Sequence, residues 1–233
     1  MYSESTKKKQ KHTLILLDSS LERIPSSISS HESVTRDAKK RGKSPRKIIL
    51  DDSIHYPAIS SLEDGKKKGR PDIVHFCLLS ALDSPISADM DVYIHTLEDK
   101  IIWINSETRL PRNFNRFRGL MESLLEKQVI MGGDKTLMKV LDITLDKLLS
   151  SIQGSKIVMR EKGGHQEDYL KDTVKSGEDI TLGVGGFPHG DYRDSTLDIL
   201  DKHGFIQVSL GERTLTSNYV LNRSICILEE VQV

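Results

Sequence analysis

A glycine-rich stretch follows a short apolar segment in the last quarter of the chain. It reads Leu182-Gly183-Val184-Gly185-Gly186-Phe187-Pro188-His189-Gly190. Glycines after a strand permit positive φ and let a ligand approach the backbone, and ligands of open α/β sheets bind at the carboxyl ends of strands. Pro188 stands where the dinucleotide-binding pattern needs its third glycine, and no Walker A lysine follows Gly190. The stretch is therefore a ligand-binding turn of another class or a structural strand-to-helix turn.

A second turn of the same kind lies close behind the first. It reads Val208-Ser209-Leu210-Gly211-Glu212-Arg213-Thr214-Leu215-Thr216 and again leads from a predicted strand through a glycine into a helix. Two such turns can form opposite walls of one pocket. Their backbone amides suit the polar edge of an adenine, whereas Leu210 and Leu215 suit its faces.

The middle of the chain holds a locally basic segment, residues 105–118. It contains one acidic residue, Glu107, and four arginines, Arg109, Arg112, Arg116 and Arg118. Arg112 and Arg116 are one helical turn apart and are expected to share a face. Guanidinium groups match phosphates with bidentate geometry, so the segment suits a nucleic-acid backbone. The alternative is a solvated helix edge.

Two aspartates flank a helix predicted over residues 72–82. Asp72 stands in the sequence Arg70-Pro71-Asp72, where it caps the helix or holds the Arg70 guanidinium in one orientation. Asp83 precedes Ser84-Pro85, and an aspartate there is ordinarily a turn residue. If Asp83 faces the pocket, it is the nearest carboxylate able to handle a proton.

Strands alternate with helices along the chain, which predicts an α/β fold with a mainly parallel sheet. The predicted strands are 13–17, 47–50, 92–95, 101–104, 156–160, 181–184 and 205–210. The predicted helices are 72–82, a segment from Pro111 to Gln128, 137–149 and 215–231. Residues 26–47 are expected to be helix or loop, and residues 163–177 a polar connection.

Composition bounds these interpretations. The 233 residues fit one domain or one domain with an appendage, and 36% hydrophobic residues suffice for a packed core. Lys plus Arg and Asp plus Glu are each 34, so net charge gives no indication of a nucleic-acid partner. No apolar run approaches the length of a membrane span.

Cysteine and histidine usage indicates a cytoplasmic protein without a metal site. Cys77 and Cys226 both lie in apolar segments and are interpreted as reduced core residues. No Cys or His pair has zinc-ligand spacing, so we expect no metal. Residues 1–11 are polar and lysine-rich and are expected to form a flexible basic tail.

Seven motifs, in one order along most of the chain, resemble the small-subunit rRNA pseudouridine-N1-methyltransferases of the SPOUT superfamily, which are also ribosome-biogenesis factors. The motifs are Gly69-Arg70-Pro71-Asp72-Ile73-Val74-His75, Leu82-Asp83-Ser84-Pro85, Val92-Tyr93-Ile94-His95-Thr96, Thr108-Arg109-Leu110-Pro111-Arg112-Asn113-Phe114-Asn115-Arg116-Phe117-Arg118-Gly119-Leu120-Met121, Leu137-Met138-Lys139-Val140, Val184-Gly185-Gly186-Phe187-Pro188-His189-Gly190 and Val208-Ser209-Leu210. No single motif is specific, and the resemblance rests on their order.

The resemblance implies a single SPOUT domain over residues 1–233, a homodimer, and S-adenosylmethionine as cofactor. The cofactor site and a deep C-terminal trefoil knot are expected at about 156–233. The implied cofactor-binding residues are Gly185, Gly190, Leu210, Gly211 and Leu215. The implied contacts to small-subunit rRNA are Arg70, Arg109, Arg112 and Arg116, with Asp72 steadying Arg70. Family members often carry proline where this chain has Thr214, and the C-terminal helix is more polar than usual.

The implied reaction is an SN2 methyl transfer from the sulfonium to N1 of a pseudouridine. Asp83 is the candidate catalytic residue, hydrogen bonding the imide edge of the base and accepting its proton, with water as the alternative acceptor. Two other functions stay open. One is a related SPOUT methyltransferase acting on another rRNA or tRNA position, and the other is a non-catalytic rRNA-binding assembly factor.

Overall fold

The apolar run Leu14-Ile15-Leu16-Leu17 forms the centre of the protein. In the computed structural model, which describes residues 10–230, these side chains are at most 1% exposed. They belong to strand β1 (His12–Ser19), which pairs in parallel with β2 (Met90–Thr96) on one side and β7 (Ile180–Gly185) on the other. Because both faces of the strand are covered, its sequence is continuously apolar rather than alternating.

The described residues form one eight-stranded sheet with the order β4-β5-β3-β2-β1-β7-β6-β8. The five strands from β2 to β8 in that order are mutually parallel, and the remaining three pair in antiparallel fashion. The mainly parallel α/β class is thus confirmed. The other strands are β3 (Ile101–Ile104), β4 (Val129–Gly132), β5 (Lys135–Leu141), β6 (Ser155–Met159) and β8 (Ile206–Val208).

Helices cover both faces of the sheet, and side chains of β1 point alternately into the two layers. Leu14 and Leu16 join a core cluster with helical residues such as Val74 and Phe117, whereas Ile15 and Leu17 join a second cluster with Leu148 and Leu200. Within residues 10–230 the α-helices are α1 (Glu32–Lys40), α2 (Asp52–Ile59), α3 (Pro71–Asp83), α4 (Phe114–Lys127), α5 (Leu145–Ser150), α6 (Glu167–Lys175), α7 (Asp194–Lys202) and α8 (Ser217–Glu229).

The helix predicted over residues 137–149 is wrong, because this segment divides into β5 and α5. Short apolar runs fit strand and helix patterns equally, and here pairing decides: Val140 lies opposite Ile102, and Met138 opposite Ile104. The predicted strand 47–50 is also wrong. The structure has only an isolated bridge between Arg23 and Ile49, and the apolar side chains of this segment pack into the protein interior.

Three further expectations need correction. Helix α4 begins at Phe114 rather than near Pro111, because the Asn113 side chain accepts the Arg116 backbone N–H and caps the helix. Helix α6 occupies most of the connection predicted over 163–177. Cys77 is buried, but Cys226 is exposed; both thiols are free. The predicted basic tail lies largely outside the described residues.

Residues between β1 and α3 form a small layer of their own, which Glu122 of α4 anchors. The Glu122 side chain is 2% exposed and accepts hydrogen bonds from Arg41, Lys43 and the Ile49 backbone N–H. Burial raises the pKa of Glu122, but the bonds from Lys43 and Arg41 outweigh it and hold the pKa below its usual value. The anchor is therefore an ionised carboxylate held by three donors.

The loop after β6 holds strand β8 from two sides. The Val208 carbonyl accepts the Arg160 N–H at 2.9 Å, and the Gln207 carbonyl accepts the His165 N–H at 3.2 Å. The Ser209 N–H in turn donates to the His165 carbonyl at 2.8 Å. A Cβ on Gly163 would lie 2.6 Å from backbone atoms of Val208 and Ser209. The loop and strand β8 thus run side by side in close contact.

We predict that Glu122→Gln destabilises the fold by about 3 kcal/mol, because the buried Arg41 and Lys43 bonds lose their anion. Denaturant unfolding measures the effect. Glu126→Gln, on the same helix, is the matched control, since Glu126 pairs with Lys47 at the surface and its loss should barely change stability. Equal effects of the two variants would contradict the role of Glu122 as the anchor.

Candidate functional site

A cavity of about 940 Å³ opens at the carboxyl ends of β6, β7 and β8. The two glycine-containing turns line it together, as the sequence predicted, and the first turns of α3 and α8 complete its wall. Its lining includes all of the candidate cofactor residues, together with Arg70 and Asp72. This volume lies within the range of small-molecule pockets.

The backbone that lines the cavity requires glycine at several positions of the two turns. Gly190 and Gly211 have φ of +84° and +139°, which residues with a Cβ rarely adopt. At Gly185 the obstacle is steric, because a Cβ would lie 2.8 Å from the Phe187 ring. These positions leave backbone, rather than side chains, facing the cavity.

A charged pair that the sequence did not reveal holds the first turn in place. Arg160, at the end of β6, donates from Nε and Nη2 to the Asp191 carboxylate at 2.5–3.0 Å. Burial raises the pKa of Asp191, but the bonds from Arg160 outweigh it and lower the pKa. Lys67 Nζ donates to the Asp191 carbonyl at 2.6 Å, and the buried Tyr192 hydroxyl donates to the Met159 carbonyl at 2.7 Å.

The second turn is tied to the loop that follows Arg160. The Ser209 hydroxyl lies 3.0 Å from the Glu161 carbonyl and 2.8 Å from the Gly211 carbonyl. Thr214, the residue that departs from the family pattern, donates its hydroxyl to Glu161 Oε1 at 2.7 Å. The substitution therefore provides a hydrogen bond across the mouth of the cavity instead of the backbone restriction of a proline.

Arg70 and Asp72 form a bidentate pair on the cavity wall. Arg70 Nε and Nη2 lie 2.8 Å from the two Asp72 oxygens, and Asp72 does not cap α3. The Arg70 backbone N–H donates to the Ser20 hydroxyl at 2.7 Å, and the Ser20 N–H donates to the Gly186 carbonyl at 2.9 Å. One buried serine thus joins the arginine to the glycine turn.

Asp83 lies outside this cavity, as do the other three predicted RNA-binding arginines, Arg109, Arg112 and Arg116. Asp83 ends α3, so it is about 16 Å from Asp72 along the helix axis. Its carboxylate pairs with Arg112 at 2.9 Å, and both side chains are at least half exposed. Arg109 and Arg116 are also exposed.

The expected shared helical face of Arg112 and Arg116 is wrong, because α4 begins after Arg112. Arg118 differs from the other arginines of the basic segment. Its side chain is 7% exposed and pairs with the buried Asp51 at 2.6 Å, which removes it from any outer surface.

Glu22 is a buried carboxyl next to the site that the sequence gave no reason to single out. It is 2% exposed, and its Oε1 accepts the Gly69 N–H at 3.0 Å. Burial raises the pKa of Glu22 to about 7, and the Gly69 hydrogen bond opposes the shift only in part. A glutamate just after an apolar strand is usually a surface residue, so only the fold identifies this position.

The fold and cavity define a class: an open-sheet α/β protein that receives a ligand between two loops at the carboxyl ends of parallel strands. The chain belongs to the EMG1/NEP1 methyltransferase family, whose model matches residues 14–229. The family seen in the sequence resemblance is thereby confirmed.

Individual relatives are similar to this chain over nearly their whole length. The chain is 48% identical over 219 residues to the ribosomal RNA small subunit methyltransferase Nep1 of Archaeoglobus fulgidus, covering 94% of this chain and 95% of that protein. The Nep1 of Pyrococcus furiosus is 41% identical over 226 residues, covering 95% and 97%. The crystal structure of Archaeoglobus fulgidus Nep1 bound to S-adenosylhomocysteine superposes with a TM-score of 0.88 at 46% identity, covering 96% and 99%.

We predict that Glu22→Gln changes stability in a pH-dependent way. The pKa of Glu22 in the folded protein, about 7, lies above the ordinary value of 4.5. The free energy of unfolding of the wild type therefore falls as pH rises from 4.5 through 7, whereas the variant has no carboxyl to ionise at this position. The variant should match wild type near pH 4.5 and exceed it at pH 8, by up to about 3 kcal/mol. Melting temperatures at both pH values measure this. Glu63→Gln, at an exposed position, is the control, and a pH-independent difference for Glu22→Gln would refute the assignment.

Proposed function

We propose that this protein transfers a methyl group from S-adenosylmethionine to N1 of a pseudouridine in small-subunit rRNA, as a step of ribosome biogenesis. The observation that carries the proposal is one cavity that joins two glycine turns to the Arg70–Asp72 pair. Family membership supports the methyltransferase class. The names of the relatives support the rRNA substrate, and the bound ligand of the Archaeoglobus fulgidus protein supports the cofactor.

The residues present fit S-adenosylmethionine. Leu210 and Leu215 offer apolar contacts for an adenine, and the backbone around Gly185, Gly190 and Gly211 offers amides and carbonyls for polar groups. When bound, the cofactor supplies an electrophilic methyl group on its sulfonium. The chain holds these walls rigid through the Arg160–Asp191 pair, which supports alignment of the two reactants.

Arg70 is suited to hold the RNA next to the cofactor pocket. Its guanidinium is partly exposed, and Asp72 fixes its orientation, so a phosphate meets a preorganised donor. A base in an RNA loop leaves its stack at little cost, which favours presentation of a flipped base. Arg109, Arg112 and Arg116 add exposed cations on the adjoining surface, where we propose that they contact RNA phosphates.

The proton on N1 needs an acceptor, and we propose Asp83. Asp83 lies some 16 Å along α3 from Asp72, which lines the cavity. Its carboxylate can therefore contact the target base in two ways. Either the bound RNA places the base near Asp83, or the Asp83 of a second subunit reaches the base in this cavity. The second route agrees with the proposed homodimer. Exposed Phe76 and Tyr219 lie on α3 and α8, two helices that pack together, and offer apolar area for such an interface.

We also propose the deep trefoil knot and a cytoplasmic location. The close pairing of residues 207–209 with the 160–165 loop, just before the chain runs on into α8, supports the knot. Among residues 10–230, no helix has the length and apolarity needed to cross a bilayer. The same residues contain no cluster of three or more His, Cys, Asp or Glu arranged to hold a metal.

We predict that the protein methylates a short rRNA loop that contains pseudouridine and leaves its uridine twin unmodified, since only pseudouridine has a free N1. Mass spectrometry of the nucleosides after incubation with S-adenosylmethionine measures the product. Equal methylation of both loops would favour a related enzyme that acts on another position. Cofactor binding without methylation of either loop would favour a non-catalytic assembly factor.

We predict that Asp83→Asn lowers the single-turnover methylation rate at least tenfold, because asparagine keeps the shape but cannot accept the proton. RNA and cofactor affinities should stay within a few-fold of wild type. Higher pH should partly restore the rate as the imide ionises. An unchanged rate at every pH would remove Asp83 from the chemistry and leave water as the acceptor.

A further inference from the structure

Positive charge is concentrated in one stretch of this neutral chain. Residues 36–47 contain seven lysines and arginines and one aspartate, a net charge of +6. Because the 34 basic and 34 acidic residues of the whole chain cancel, the remaining residues carry a net charge of −6. Such asymmetry creates a local positive potential that attracts polyanions, which the overall charge conceals.

Carboxylates neutralise only part of this charge. Glu122 pairs with Arg41 and Lys43, and Glu126 pairs with Lys47. Three cations of the stretch are exposed and form no ion pair within residues 10–230, namely Lys39, Lys40 and Arg46. The pairs with α4 also fix the position of these free cations, since they hold the stretch against the second half of that helix.

Helix α4 links this stretch to the proposed RNA-binding arginines. Arg116 in its first turn and Lys127 at its end are both exposed and lie on one stripe of the helix, about 16 Å apart. Gly119 and Ser123 lie between them on the same stripe, and a Cβ on Gly119 would meet no atom within 4 Å. The stripe therefore has a cation at each end and open, small residues between them.

We propose that Lys39, Lys40, Arg46 and Lys127 form a second phosphate-binding surface, which holds the RNA stem next to the target loop. The proposal rests on the proposed function, because it extends the RNA contacts of Arg116 along α4. A loop whose base enters the cavity brings its flanking stem over neighbouring parts of the protein. Double-stranded RNA is bound largely through phosphates and shape, which suits a surface of lysine and arginine.

The test compares two RNAs with the same pseudouridine loop, one on a stem of a few base pairs and one on a stem lengthened by about one helical turn. The variant is Lys40→Gln with Arg46→Gln. Its matched control is Lys139→Gln with Lys147→Gln, two exposed lysines on other elements. Equilibrium binding is measured over a series of salt concentrations, and single-turnover methylation at saturating RNA checks the active site.

We expect the Lys40/Arg46 variant to bind the long-stem RNA about tenfold more weakly at moderate salt. Its log–log salt slope should be smaller by roughly one unit for each phosphate that the variant no longer neutralises. Binding of the short-stem RNA, methylation at saturation and all properties of the control should match wild type. Wild-type affinity for the long stem, or equal weakening with both stems, would overturn the second surface. Failure of the wild-type protein to bind either RNA would overturn the proposed function as well.

Discussion

A buried polar turn directly after β1 joins the first glycine turn of the cavity to the loop that carries Arg70. Ser20 lies at its centre, where its N–H meets the Gly186 carbonyl and its hydroxyl accepts the Arg70 N–H. Two residues on, Glu22 accepts the Gly69 N–H. Because these groups are shielded from water, breaking any one of these bonds leaves an unpaired polar atom at a cost of about 1–3 kcal/mol. The first glycine turn and the loop that carries Arg70 are therefore fixed relative to each other.

The end of β1, just before this turn, is held by charge. Asp18 has φ of +47° and is fully buried, and its carboxylate accepts the backbone N–H and Nε of Arg193 and the Thr196 hydroxyl. Arg193 also reaches Asp99 in the turn between β2 and β3. This network links the ends of two strands to the start of α7. A site built on such shared supports keeps its geometry when ligands are absent, which aligned group transfer requires.

The layer between β1 and α3 supports the side of the molecule on which we propose that RNA binds. At one end of this layer, Glu22 binds the Gly69 N–H and so positions the loop that carries Arg70. At the other end, Arg41 binds Glu122 and attaches the layer to α4. Helix α4 uses opposite sides for the two tasks: Phe117, Met121 and Glu122 face inward, whereas Arg116 and Lys127 face solvent. The proposed substrate surface and the packing of the fold are thus set by the same helix.

The sequence alone determined the local features of this protein. The two glycine turns, the strands β2 and β3, the helix after Pro71 and the family motifs all depend on residues close in sequence, whose backbone preferences and order can be seen directly. Tertiary structure decided what joins distant residues. Arg160 and Asp191 are 31 positions apart, and Asp83 meets Arg112 rather than the cavity. The segment 137–149 became a strand and a helix because β3 offered a pairing edge. Burial, which turned Glu22 into a carboxyl with a pKa of about 7, exists only after the chain has folded around it.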